Sequence, residues 1–65
     1  MTETTILNEK QFFCELTKYI GKNKAKCTID MMKSGILAEY ILIGGYSGLI
    51  VCKKLDEDKF EFIYH

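Results

Sequence analysis

Apolar residues first recur at helical spacing. Phe12, Phe13, Leu16, Tyr19 and Ile20 share one stripe, while Lys10, Glu15 and Lys18 lie on other parts of the surface. Asn8 is a favoured N-cap, and Gln11 three residues later completes a capping-box pattern. Leu7 before the cap and Phe12 after it match a hydrophobic staple, and Gly21 supplies a left-handed stop. The spacing predicts a helix over about 8–20. Residues 1–7, rich in Thr, read as frayed or weakly extended.

Beyond Gly21 the period shifts toward two. Cys27, Ile29 and Met31 alternate with Lys26, Thr28 and Asp30, which predicts a half-exposed strand over about 26–33. Ser34-Gly35 is a turn signal. Residues 36–43 are apolar on both faces except for Glu39, which suits a central strand, with a short helix as the competing reading. The run Gly44-Gly45-Tyr46-Ser47-Gly48 reads as a hairpin loop. Strands follow at about 48–55 and 59–64, separated by the acidic turn Asp56-Glu57-Asp58. The expected fold is α+β: one helix packed on a four-stranded antiparallel meander. Phe12, Leu16 and Ile20 of that helix should meet Ile29, Tyr40, Val51 and Phe62.

That arrangement leaves apolar residues over. By strict alternation Leu37, Ile41, Ile43, Ile50, Cys52 and Ile63 fall on the sheet face that the helix does not cover. Contiguous apolar surface of this kind usually marks an interface. Leu37, Ile41, Ile43 and Ile50 are therefore the candidate protein-binding residues, with Tyr46 at the loop tip as a possible anchor. The competing account is that twist, a bulge or residues 1–7 cover that face. A register shift of one would also exchange the two faces.

Composition narrows the picture. With 65 residues the chain has room for one domain, residues 1–65, and the initial Met suggests a whole small gene product. A hydrophobic fraction of 48% and a charged fraction of 28% suit a globular domain. The 9 basic residues, all Lys, balance 9 acidic ones. Lys22, Lys24, Lys26 and Lys33 form the one basic cluster, a candidate nucleic-acid contact by phosphate neutralisation. The lack of Arg removes the usual bidentate reader of phosphates and bases. Met1–Ile6 lacks the pattern of a signal peptide, and three cysteines without framework spacing suit a reducing, cytoplasmic setting.

No catalytic or cofactor motif is evident. Cys14, Cys27, Cys52 and His65 number enough for a zinc site, but no two are spaced as a close ligand pair. The glycine-rich run lacks the Gly-Lys-Ser/Thr ending of a phosphate loop. Gly45 and Gly48 also match the short loop of a nucleic-acid-binding KH domain, without its helices and basic residues. The expectation is a non-enzymatic module that needs no metal, cofactor or small-molecule substrate. It would bind another protein or a second copy of itself. In size and style it is similar to phage and mobile-element proteins that block a host factor as an inhibitor or adaptor. The alternatives are a nucleic-acid-binding accessory protein and a homodimeric structural protein.

Overall fold

The computed structural model describes residues 2–44 and 48–65. In chain order the elements are β1 (Glu3–Leu7), α1 (Glu9–Ile20), α2 (Lys22–Lys33), β2 (Glu39–Leu42), β3 (Ile50–Asp56) and β4 (Lys59–Tyr64). The four strands form one antiparallel sheet in the order β1-β4-β3-β2. The α+β class stands, but there are two helices where the sequence predicts one. The fourth strand is also a different segment from the one expected.

Helix α1 forms as its capping signals predict. The Asn8 side chain accepts from the Gln11 N–H at 2.9 Å, and the Gln11 side chain accepts from the Asn8 N–H at 3.0 Å. A third constraint arrives from far along the chain. Asp58, in the β3–β4 turn, accepts from the Glu9 N–H at 2.8 Å, placing a carboxylate at the positive end of the helix. The acidic turn thus locks onto the helix. Replacing Asn8 by Ala is expected to cost about 1 kcal/mol. In a domain of this size that lowers the melting temperature by about 4–8 °C. Thermal melts followed by circular dichroism measure the shift, and Asn8→Ser should restore most of it.

The two helices are joined by one residue. Gly21 has φ +86°, donates its N–H to the Thr17 carbonyl at 2.9 Å and accepts from the Ala25 N–H at 3.0 Å. It therefore ends one helix and begins the next, in a conformation that L side chains rarely adopt.

Segment 26–33 is helix, not strand. Ala25, Thr28, Ile29 and Met32 are buried, the i, i+3, i+4, i+7 set of one helical face, while Cys27 and Met31 are exposed. Thr28, the one polar member, is accommodated because its hydroxyl donates to the Lys24 carbonyl at 2.8 Å.

Residues 3–7 take the place of the missing strand. Glu3–Leu7 pairs along β4, with Thr5 opposite Phe62 and Leu7 opposite Phe60. Segment 59–64 is therefore an interior strand between β1 and β3, and the free edges of the sheet are β1 and β2.

Both helices lie on one face of the sheet. Phe12 and Leu16 from α1 and Ala25, Ile29 and Met32 from α2 share a core with Leu42, Ile50, Cys52, Phe60 and Phe62. Phe12 is at the centre, its ring 4.5 Å from Phe60 and 5.0 Å from Phe62. Ile50 and Cys52, expected on the opposite face, are fully buried here, and Val51 faces away from the helices. The phase of β3 is shifted by one from the expected register, so its apolar residues exchange sides.

Candidate functional site

The helix-free face is built by cross-strand register. Residues directly opposite in an antiparallel ladder point to the same side. One row runs Ile41, Val51, Ile63, Thr4 across β2, β3, β4 and β1. The adjacent row runs Glu39, Lys53, Glu61, Ile6. The face is thus an apolar band beside a band of alternating charge. Ile41 is 55% exposed and Ile6 52% exposed. Ile43, just past β2, is 91% exposed. Leu55 lies where the β3–β4 register shifts and is also exposed. Lys53 pairs with Glu39 at 3.9 Å.

Of the predicted binding residues, Ile41 and Ile43 are exposed on or beside this face. Ile50 is core. Leu37 packs partly buried against the core and does not join the face. Tyr46 lies outside the described residues. Val51 and Ile6 also lie on this face, where the sequence predicts Val51 on the helix side and Ile6 in a frayed or weakly extended lead-in. The β-branched run Thr4-Thr5-Ile6 was the available signal for β1.

The basic cluster divides three to one on α2. At about 100° per residue, Lys22, Lys26 and Lys33 fall within about 40° on one flank of α2, and Lys24 falls on the far flank. Lys33 pairs with Glu9 at 3.2 Å. Lys26 and Lys10 line an open groove of about 540 Å³ together with Glu9, Asp30 and Asp58. Acidic residues thus lie beside Lys26 and Lys33 on the flank where three of the four lysines gather.

The three cysteines are free and lie apart: Cys14 exposed on α1, Cys27 exposed on α2 and Cys52 buried in β3. Among the described residues no group of three or more His, Cys, Asp and Glu is placed to hold a metal ion. Burial pushes the Cys52 thiol up to about 12. Such a thiol is protonated at neutral pH and inert as a nucleophile. No helix among the described residues is long and apolar enough to cross a membrane. The chain matches no protein-family model, no curated protein and no solved structure.

Proposed function

We propose that the protein is a non-enzymatic protein-binding module that works through the helix-free face of its sheet. The observation that supports this is the row Ile41–Val51–Ile63, in direct cross-strand register on the side that neither helix covers. Val51 and Ile63 are half-buried within the row, Ile41 is exposed, and Ile6, Ile43 and Leu55 add exposed apolar side chains around it. Burying one such side chain is worth roughly 1.5–3 kcal/mol, so a partner that covers several gains substantially. A module with one binding face and no reaction centre acts by occupying its partner, as an inhibitor or adaptor does. The nucleic-acid reading draws less support, because Lys24 is separated from Lys22, Lys26 and Lys33 and acidic residues lie among them.

The test compares two kinds of substitution. Ile41→Lys alters an exposed position and should leave the melting temperature within a few degrees, as surface changes usually stay within about 0.5 kcal/mol. Val51→Lys, at a half-buried outward position of an interior strand, should cost more, about 1 kcal/mol, and still fold. Both should abolish association, whether with another protein or with a second copy. Ile50→Lys places a charge in the core and should unfold the chain. If Ile41→Lys and Val51→Lys unfold the protein instead, or leave its associations intact, the face is not a binding surface.

A further inference from the structure

We infer that a second copy of this chain covers the helix-free face, with the two sheets packed face to face about a two-fold axis running along the strands between β3 and β4. The inference rests on the binding-face reading and names its occupant.

The charge row selects this arrangement. A face that packs on its own copy does so about an axis lying in the interface. In the order β1-β4-β3-β2, the line between β4 and β3 is the middle of the sheet, so an axis there gives the fullest overlap. Rotation about it exchanges β3 with β4 and β2 with β1. Lys53 then faces Glu61 of the second copy, and Glu61 faces Lys53 of the second copy. In the neighbouring row Val51 and Ile63 face each other twice. At the rim Ile41 meets Thr4 and Glu39 meets Ile6. An axis along β3 would instead set Lys53 over Lys53 and Glu39 over Glu61, opposing like charges. An axis along the charged row would set every charge over its own kind. The central axis between the strands thus gives the fullest overlap and pairs unlike charges.

Glu61 is suited to accept this contact. The ion pair within the row joins Lys53 to Glu39, and Glu61 takes part in no ion pair among the described residues. Within the sheet Lys53 stands directly opposite Glu61 but makes its ion pair with Glu39, and Lys53 of a second copy offers Glu61 a cation of its own.

The area sets the strength. Four strands about 4.8 Å apart and five residues long outline about 300 Å² per copy. Side-chain relief raises the accessible area, which still falls short of the ~800 Å² per partner of a standard interface. The dimer is therefore reversible and dependent on concentration.

Sedimentation equilibrium of the full chain from about 1 μM to about 1 mM covers the range of weak association. The average mass should rise from 7.5 kDa toward twice that value. Lys53→Glu and Glu61→Lys should each move the midpoint at least tenfold higher. Mixed one to one, the two variants should associate again, since each copy then presents only acids or only cations across the axis. Native mass spectrometry should show the heterodimer. Pairing within one sheet cannot produce that rescue. Circular dichroism checks that each variant is folded, and Val51→Lys offers a second disruption if a charge variant is not.

Dimerisation of the wild type without rescue in the mixture overturns this arrangement. A wild type that stays monomeric throughout overturns the second copy as occupant. If that monomer binds an apolar dye and Val51→Lys abolishes the signal, the binding face survives and belongs to another protein. If it binds none, both readings fall.

Discussion

Replacing Phe62 by Ala is expected to remove between a third and all of the folding stability. Phe62 is fully buried on β4. Its ring lies 5.0 Å from Phe12, 6.3 Å from Tyr19 and 6.1 Å from Tyr64, so it ties the interior strand to α1 and to its own strand end. Truncating such a ring costs about 3–5 kcal/mol. A domain of 65 residues has a total stability of about 3–10 kcal/mol at typical values per residue. One substitution thus removes a third of the stability or all of it. Urea titration followed by circular dichroism measures the loss, and Phe62→Leu, which keeps most of the volume, should cost less than half as much. A Phe62→Ala protein with an unchanged urea midpoint would contradict the core described above.

Alkaline solution is expected to weaken the fold steeply. Burial raises the Cys52 thiol from 9.0 to about 12. Tyr64 rises from 10.0 to about 12, chiefly through burial, with smaller contributions from Tyr19 and Glu15. In both cases the native state keeps a proton that the unfolded chain releases. The stabilisation is complete below pH 9 and is lost progressively as pH rises toward about 12. Each tenfold change in an ionisation constant corresponds to about 1.4 kcal/mol, so the buried thiol makes a substantial part of the decline. Urea midpoints should hold up to about pH 9 and fall from there toward about pH 11, with Cys52→Ala giving a shallower decline than the wild type. A profile for Cys52→Ala parallel to the wild type would show that Cys52 is not buried in solution.

The readable parts of the sequence were those where several local signals coincide. Helix α1 had a capping box, a staple, an apolar stripe and a terminal glycine, and it forms within a residue of its expected bounds. Helix α2 was obscured by accident. Cys27, Ile29 and Met31 fit an alternating template, while the residues actually buried include Ala25, which is weakly apolar, and Thr28, which is polar. Strand β1 has too few apolar residues to alternate visibly; its pairing with β4 is a long-range event that no local pattern encodes. The phase of β3 was ambiguous because Leu49, Ile50, Val51 and Cys52 are four apolar residues in succession. Either phase presents two of them to the core, and the contacts with two helices decide in favour of Ile50 and Cys52. For the candidate face, the presence of surplus apolar surface was legible, and Ile41 and Ile63 were placed correctly. Val51 in place of Ile50 follows from the one-residue shift.

The pairing of Glu3 with Tyr64 has a consequence during synthesis. Strand β1 leaves the ribosome about 60 residues ahead of the strand that receives it. At about 5–20 residues per second that is a wait of roughly 3–12 s. Helices form within microseconds, so α1 and α2 can be in place while β1 still has no neighbour. For those seconds β1 is an unpaired strand open to mispairing with other nascent chains. Its composition limits the danger in part: Glu3, Thr4 and Thr5 are polar, which leaves Ile6 and Leu7 as the apolar surface it offers to a chance partner.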